Sequence, residues 1–249
     1  MKIKMNFIRH ILITLIILTP NLYAANESLN IGITSFDPPF IIQGSDKNIY
    51  GFDVDMMNGL CKILQRSCQF HVMRFEQLLP AVANRTIDAA LSSITITADR
   101  SKIVSFSLPY LLSYSRFLTK NTKEAIQPFS LVLLNGKTIG IETGTIFGDQ
   151  IKSMGIKNPT IKKYPKTEEL LEGLSSGELD YILLDNPTAL YWEANSTGTL
   201  ATVGPAFMYG YGIGIATNPN LVTPLNKALL QYQTSPNFKE NYTRYLTQF

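Results

Sequence analysis

Residues 92–100, which read Ser-Ser-Ile-Thr-Ile-Thr-Ala-Asp-Arg, combine alternating hydroxyl and aliphatic side chains with a final arginine. Alternation at the end of a strand places Ser93 and Thr95 on the same face. Arg100 can then fold back and bind a carboxylate through two parallel N–H groups. This pattern predicts a receptor for the carboxylate of a small metabolite. A strand that runs into a surface turn, with Arg100 paired to an acidic side chain, is an equally good interpretation.

A second candidate is the segment 142–146, Glu-Thr-Gly-Thr-Ile, between a predicted strand and a predicted helix. Such a junction presents backbone N–H groups and the positive end of a helix dipole, and both favour a carboxylate. The segment would complement Arg100 from the other side of a cleft. A routine glycine-containing turn is the alternative interpretation.

Asp185 directly follows an apolar strand and precedes Asn186 and Pro187. A buried acid needs a cation or N–H donors to offset its desolvation, and the ammonium group of a ligand would serve. The competing interpretation is an N-cap for a helix that starts at Pro187. One carboxylate could do both.

Aromatic residues at predicted strand or turn ends, among them Phe36 and Phe75, could pack against the flat or aliphatic part of a ligand. Aromatic side chains more often belong to the core. Phe75 is the strongest candidate because it follows a strand end and precedes a helix with an apolar face.

The sequence lacks the common signatures of catalysis, such as a Gly-x-Ser-x-Gly elbow or a His-Glu-x-x-His motif. Cys61, Cys68 and His71 do not make up a tetrahedral metal site. We therefore predict a binding protein with no catalytic residues, no metal and no cofactor. Acid–base chemistry by Glu142 or Asp185 with a lysine is the alternative that the sequence leaves open.

The elements that would position these residues begin after an N-terminal segment typical of export. Residues 1–24 have a basic start, a short apolar run at 11–18 and a small-residue exit at Ala24 and Ala25. This pattern predicts a secretory signal peptide that is cut after Ala24, with no cysteine there for lipid attachment. A transmembrane anchor is the alternative, although the apolar run is short.

The chain carries 22 Lys and Arg against 19 Asp and Glu residues, and the basic excess lies within the predicted signal peptide. The scattered, balanced charges of the remainder argue against a nucleic-acid partner. Export to an oxidising compartment predicts a disulfide between Cys61 and Cys68, the two cysteines of the chain.

Short apolar strands alternate with helical patterns along the rest of the chain, in two successive series. The predicted strands are Leu29–Ile33, 68–73, 88–94, 116–119, 138–141, a strand near 160, 181–184 and 210–216. Such alternation predicts an α/β fold with a mainly parallel sheet in each of two lobes. Ligands of these sheets bind beyond the carboxyl ends of the strands, so we expect the site in a cleft between the lobes.

Several blocks of the chain resemble, in order, those of periplasmic polar amino-acid-binding proteins of ABC importers, solute-binding protein family 3. The main blocks are Asp37-Pro38-Pro39-Phe40, Gly51-Phe52-Asp53-Val54-Asp55, Thr95-Ile96-Thr97-Ala98-Asp99-Arg100, Ser105-Phe106-Ser107-Leu108-Pro109-Tyr110, Gly144-Thr145 and Leu184-Asp185-Asn186-Pro187. They cover nearly the whole chain after the predicted signal peptide.

The resemblance implies a type II clamshell with two hinge strands, one near 111–113 and the other near 209–210. Residues 25–112 and 209–249 would form the first lobe, and residues 113–208 the second. Two lobes that close on one ligand would be stabilised in the closed state by that ligand.

By motif position, the resemblance implies that Arg100 holds the ligand carboxylate together with backbone N–H groups at Thr95 and Ile146. Asp185, with the Ser93 carbonyl and the Thr95 hydroxyl, would hold the ammonium. The remaining implied ligand contacts are Ser92, Thr145, Phe36 and Phe75.

The implied activity is the delivery of an L-amino acid to an inner-membrane ABC permease by a periplasmic, monomeric protein. Glu142 stands where a glutamate occurs in the arginine-specific branch, which favours arginine or another basic amino acid. Two departures from the pattern are Thr34, where an acid is common, and Asp37, where an aromatic is usual. Asp37 could supply the missing negative charge. Glutamine, histidine or lysine binding, and a same-fold cyclohexadienyl or arogenate dehydratase, are the alternatives.

Overall fold

The structure is a computed structural model that describes residues 28–120, 122–125 and 127–247. The predicted signal peptide, 1–24, lies outside the described residues. The described chain forms two five-stranded sheets and a two-stranded hairpin, with helices on the faces of the two large sheets. The predicted two-lobed α/β architecture is therefore confirmed.

The first sheet has the strand order β4-β1-β5-β12-β6, and its strands belong to the two ends of the described chain. Its strands are β1 (Leu29–Ile33), β4 (Cys68–Val72), β5 (Ala89–Ala90), β6 (Ser105–Phe106) and β12 (Ala216–Thr217), and the hairpin beside it consists of β2 (Ile42–Gln43) and β3 (Ile49–Tyr50). β1 is parallel to both β4 and β5, whereas β12 runs antiparallel to β5 and β6.

The second sheet has the order β11-β7-β10-β8-β9 and uses the middle of the chain. Its strands are β7 (Tyr114–Thr119), β8 (Thr138–Glu142), β9 (Thr160–Tyr164), β10 (Tyr181–Asp185) and β11 (Ala201–Met208). β8 is parallel to β9 and β10, and β7 is antiparallel to β10 and β11.

Helices cover both faces of each sheet. They are α1 (Phe52–Ile63), α2 (Phe75–Ala83), α3 (Thr122–Ala125), α4 (Phe147–Ser153), α5 (Thr167–Ser176), α6 (Asn186–Asn195), α7 (Pro219–Gln233) and α8 (Pro236–Leu246), with 3-10 turns at Arg100–Lys102 and Leu131–Leu134. In the first lobe, α1 and α7 pack on one apolar face and α2 on the other. In the second lobe, α4 and α5 cover opposite faces. Each lobe thus has its own core.

The chain crosses between the sheets twice, after β6 and after β11. The two crossings lie side by side, since the backbone N–H of Tyr209 donates to the carbonyl of Ser113 at 3.3 Å and Ile213 forms a β-bridge with Leu111. Adjacent crossings of this kind allow one sheet to rotate against the other. The segments near 111–113 and 209–210 lie in these crossings, and their action as hinges stays a prediction.

The predicted disulfide is present. Cys61 near the end of α1 is bonded to Cys68 at the start of β4, with the two Cα atoms 6.0 Å apart. No helix of the described residues is long and apolar enough to cross a membrane.

Two strand predictions were wrong in extent. The predicted strand 88–94 forms a strand only at Ala89–Ala90, because the Ser92 hydroxyl bonds the N–H and the hydroxyl of Thr34, and the Ser93 N–H donates to the Asp53 carboxylate. Ser93 also adopts a left-handed φ of 48°, which turns the chain out of the sheet. The predicted strand 210–216 contributes only its last residue to Ala216–Thr217, because Gly210 and Gly212 bend the chain with φ of 74° and 108°.

The strand Ala201–Met208 was not predicted from the sequence. Gly204 and Pro205 interrupt its pattern, and the pairing with β7 is irregular between Val203 and Phe207. A strand with a bulge at a Gly-Pro pair has the local sequence pattern of a turn.

Candidate ligand-binding site

The carboxyl ends of β1 and β5 in the first lobe face the carboxyl ends of β8 and β10 in the second. Between them lies a cavity with a free volume of about 20 Å³, which is about the space needed by one water molecule. Thr34, Asp37, Phe75, Ser93, Thr95 and Arg100 line it from the first lobe. Glu142, Thr145, Ile146, Thr167 and Asp185 are among the residues that line it from the second. A ligand larger than water therefore needs the lobes to separate.

Arg100 folds back toward the cavity, as predicted, and is only 7% exposed. Its Nη1 donates to the carbonyl of Thr95 at 2.7 Å and its Nη2 to the carbonyl of Gly144 at 3.0 Å. The guanidinium carbon lies 5.5 Å from the centre of the Phe75 ring. Burial lowers the pKa of Arg100 to about 10, although Asp185 opposes this shift, so the side chain is a cation at neutral pH.

Asp185 occupies the N-cap position of α6, but its side chain makes no capping hydrogen bond. Instead, its Oδ2 accepts from the Ser93 hydroxyl at 3.0 Å, across the cleft. Its Oδ1 is buried and has no hydrogen-bond partner among the described residues. Burial raises the pKa of Asp185 well above its usual value, with a further rise from the charge of Asp37. An acceptor of this kind is suited to an ammonium group.

Asp37 is held by a tight turn in which its N–H donates to the carbonyl of Ile41 at 2.8 Å. Its carboxylate accepts from Ser93 at 2.7 Å and, across the cleft, from Thr188 at 3.0 Å. Burial raises the pKa of Asp37 to about 6, while the two hydroxyl donors counteract the rise. This residue departs from the family pattern and nevertheless lines the cavity.

Glu142 ends β8 and lines the cavity beside Asp37 and Phe75. Its Oε2 accepts from the Thr167 hydroxyl at 2.9 Å. Burial, and secondarily the charge of Asp37, raises the pKa of Glu142 to about 8. A cation brought next to this group would favour its ionised form.

A second polar layer supports the cavity below Ser93. Asp53 is fully buried and accepts from the Ser93 N–H at 3.0 Å and from the Tyr110 hydroxyl at 2.9 Å. Burial raises the pKa of Asp53 to about 7, against the lowering effect of these two donors. The Thr95 hydroxyl is likewise bonded to Ser113 at 2.8 Å. Asp53 and Tyr110 belong to two of the blocks that resemble the family, but the sequence did not indicate that they support the cavity.

Two threonines of the second lobe were missed by the sequence analysis. Thr167 is the first residue of α5, and its hydroxyl donates to the Glu142 carboxyl group. Thr188 lies in the first turn of α6, and its hydroxyl donates to the Asp37 carboxyl group. The position of Thr188, three residues after Asp185 on a predicted helix, was the signal that could have placed it on the cleft side.

Two predicted contacts lie outside the cavity wall. Ser92 is fully buried, and its hydroxyl bonds both the N–H and the hydroxyl of Thr34, at 3.0 and 2.9 Å. Phe36 lines a neighbouring groove and contacts the Trp192 ring across the cleft, with ring centres 5.9 Å apart.

The Thr145 hydroxyl donates to the carbonyl of Glu142 at 2.7 Å. Among the described residues, no three His, Cys, Asp or Glu side chains are placed so that they could hold a metal ion.

The cavity combines the Arg100 guanidinium with three carboxyl groups, which is the polarity expected for a site that binds a zwitterion. The chain is 33% identical over 213 residues to the ABC transporter arginine-binding protein 1 of Escherichia coli K12, a match that covers 84% of this chain and 83% of that protein. It is also 27% identical over 208 residues to the L-cystine-binding protein TcyJ of the same organism, with 83% and 77% covered.

Among solved structures, the periplasmic binding protein of an arginine third transport system from Legionella pneumophila superposes with a TM-score of 0.81 at 33% identity. That match covers 88% of this chain and 99% of the other. The family model for bacterial extracellular solute-binding proteins, family 3, matches residues 29–248, which include both sheets and every cleft residue described above. The chain therefore belongs to the bacterial extracellular solute-binding proteins, family 3.

Proposed function

We propose that this protein is the periplasmic substrate-binding component of an ABC importer and that its ligand is L-arginine. The observation that carries the proposal is the charge of the cavity. The charged side chains that line it among the described residues are Arg100, Asp37, Glu142 and Asp185, so acidic groups outnumber the one cation. A ligand that brings one carboxylate and two cationic groups has a net positive charge and would offset part of this negative excess.

Each charged group of arginine has a counterpart in the wall. The α-carboxylate would bind Arg100, whose guanidinium already lies at the contact between the lobes. The α-ammonium would bind Asp185, whose Oδ1 has no partner among the described residues. The side-chain guanidinium would lie beside Glu142 and Phe75, since a carboxylate and an aromatic face both stabilise a planar cation.

Several features support export and delivery to a permease. The N-terminal sequence is typical of a cleaved signal peptide, and the disulfide fits an oxidising compartment. The relative from Escherichia coli and the Legionella structure are named as arginine-binding or arginine-transport proteins. We infer that the mature protein is a monomer that releases its amino acid unchanged, without a catalytic step.

Titration of the purified mature protein with a panel of amino acids tests the proposal. L-arginine and L-citrulline form a matched pair, because they have the same shape and differ in the charge of the side-chain end. We expect arginine to bind and to raise the melting temperature, and citrulline to bind at least about tenfold more weakly, since it loses the charge-assisted contact. Lysine, histidine, glutamine and cystine complete the panel.

Three results would contradict the proposal. They are the absence of binding by any amino acid, a preference for citrulline or glutamine over arginine, and chemical conversion of arginine during prolonged incubation. Chromatography of the released ligand checks the last of these.

A further inference from the structure

The hydroxyl of Ser93 lies between two carboxyl groups that belong to opposite lobes. Its Oγ is 2.7 Å from Oδ2 of Asp37 in the first lobe and 3.0 Å from Oδ2 of Asp185 in the second. Both distances are those of hydrogen bonds. Ser93 is also fixed in place, because its N–H donates to Asp53 at 3.0 Å.

A hydroxyl carries one proton, so it can donate to only one of these two oxygens. Its second hydrogen bond must be one that it accepts. An ionised carboxylate is an acceptor only, whereas a protonated carboxyl can donate. The closed geometry therefore requires a proton on one of the two acids, and the chain Asp37, Ser93, Asp185 then has a donor for each acceptor.

We propose that Asp37 and Asp185 share one proton through Ser93 when the cleft closes without ligand, and that a cationic amino acid displaces this proton when it binds. The inference rests on the proposed function. It adds that the protein releases a proton when it binds the amino acid. The α-ammonium supplies N–H donors to the same oxygens, so both carboxyl groups can be ionised in the complex. The proton passes to solvent as the ligand binds.

The charges around the pair favour retention of the proton. Asp53 lies beneath Ser93 with Tyr110 bonded to it, and Glu142 faces the pair from β8, so three of the surrounding groups are acidic or phenolic. Arg100 is the cation that opposes them, and its guanidinium is already bonded to backbone carbonyls. Burial raises the pKa of Asp37 to about 6 and raises the pKa of Asp185 well above its usual value, which is consistent with a proton on the pair.

Glu142 could also release a proton when a guanidinium approaches it, because burial raises its pKa to about 8. The test therefore uses Glu142→Gln as its starting protein, in which this source is removed. Arginine is titrated by calorimetry at about pH 5.5 in two buffers of different ionisation enthalpy, which gives the number of protons released. The same titration is repeated after adding Asp37→Asn.

We expect release of about one proton from the Glu142→Gln protein and less than about half a proton after Asp37→Asn. The asparagine amide can donate to Ser93, which in turn donates to an ionised Asp185, so no shared proton is needed. Glu172→Gln, an exposed change on α5, serves as the control in the same background and should leave the proton count unchanged. Asp37→Ser is the second variant if the asparagine protein does not fold.

A second measurement uses the Glu142→Gln protein alone. Its dissociation constant for arginine should fall by up to about tenfold per pH unit as the pH rises from the acidic side, and should level off once the ligand-free pair has lost the shared proton. Equal proton release with and without Asp37, proton uptake, or a pH-independent affinity would overturn the inference and leave the proposed function standing. Failure of the unmodified protein to bind any amino acid would instead contradict the proposed function.

Discussion

Nη2 of Arg100 in the first lobe donates to the carbonyl oxygen of Gly144 in the second, at 3.0 Å. The contact is close because Gly144 has no side chain: a Cβ there would lie 2.8 Å from the Cα of Glu76, and its φ is 86°. The residue that is proposed to bind the ligand carboxylate thus also joins the two lobes. We therefore expect ligand binding and closure to be coupled through this guanidinium.

Replacement of Arg100 by lysine should weaken arginine binding by about 30- to 150-fold. Lysine keeps the charge but loses the planar fork that can hold a carboxylate through two N–H groups. Such a bidentate contact contributes about 2 to 3 kcal/mol. Calorimetric titration measures the loss, with the exposed Arg85→Lys as a control that should bind normally. An Arg100→Lys protein with unchanged affinity would place the ligand carboxylate elsewhere.

Replacement of Glu142 by glutamine should change the choice of ligand. We expect arginine to bind about 10- to 100-fold more weakly, because a charge-assisted hydrogen bond becomes a neutral one, while citrulline binding stays within about threefold. The ratio of the two dissociation constants is the quantity to measure. Glu172→Gln, exposed on α5, is the matched control and should leave the ratio unchanged. A parallel loss for both ligands would mean that Glu142 does not contact the side-chain end.

The sequence predicted the fold well because the strands and helices carry regular periodic patterns and because the motifs occur in a recognisable order. The strand Leu29–Ile33 has the predicted bounds. The return strand Ala201–Met208 was missed because Gly204 and Pro205 break its local pattern. Its pairing with β7 comes from the tertiary structure and leaves little trace in the local sequence.

The candidate site was predicted in part. Arg100, Asp185 and Glu142 follow strands or turns whose ends were recognisable, and the structure brings them to one cavity. Ser93 reaches the cavity for a different reason from the one predicted, since it lies in a left-handed turn and not on the face of a strand. Thr167 and Thr188 could not be assigned from a single sequence, because a hydroxyl in the first turn of a helix is common for capping alone.

Replacement of Thr188 by valine should weaken closure of the lobes. The Thr188 hydroxyl donates to Asp37 across the cleft at 3.0 Å, and valine has nearly the same shape without a donor. We expect arginine affinity to fall by about 5- to 30-fold, as for one hydrogen bond to a carboxylate. Small-angle scattering should show a larger average radius for the ligand-free variant. Thr160→Val, exposed on β9, is the control, and equal effects of the two changes would contradict this account.

Removal of the disulfide should affect stability and spare ligand binding. Cys61 and Cys68 are seven residues apart and lie on the α1 side of the first lobe, and neither lines the cleft cavity. For a loop of this length, we expect the double change Cys61→Ala and Cys68→Ala to lower the free energy of unfolding by about 2 to 3 kcal/mol. Urea unfolding measures this quantity. A large loss of arginine affinity in the folded variant would show that the loop also shapes the site.

The buried carboxyl group of Asp53 should make the ligand-free protein less stable as the pH rises. Its pKa is about 7 in the folded protein because of burial, compared with about 4 in an unfolded chain. Between these values the folded protein holds a proton that the unfolded chain has lost, so the free energy of unfolding decreases with increasing pH. The difference between the two pKa values corresponds to a loss of unfolding free energy on the order of 4 kcal/mol once the pH is above both values.

Asp53→Asn should therefore flatten the dependence of stability on pH. The amide can still accept from the Ser93 N–H and can donate to the Tyr110 oxygen, so the supporting layer keeps two hydrogen bonds without a titrating group. Urea unfolding between about pH 4.5 and 8 would give a smaller decrease in unfolding free energy for Asp53→Asn than for the unmodified protein. The exposed Asp149→Asn should behave like the unmodified protein. An identical pH dependence in Asp53→Asn would mean that the other acids with raised pKa values, Asp37, Glu142 and Asp185, account for all of it.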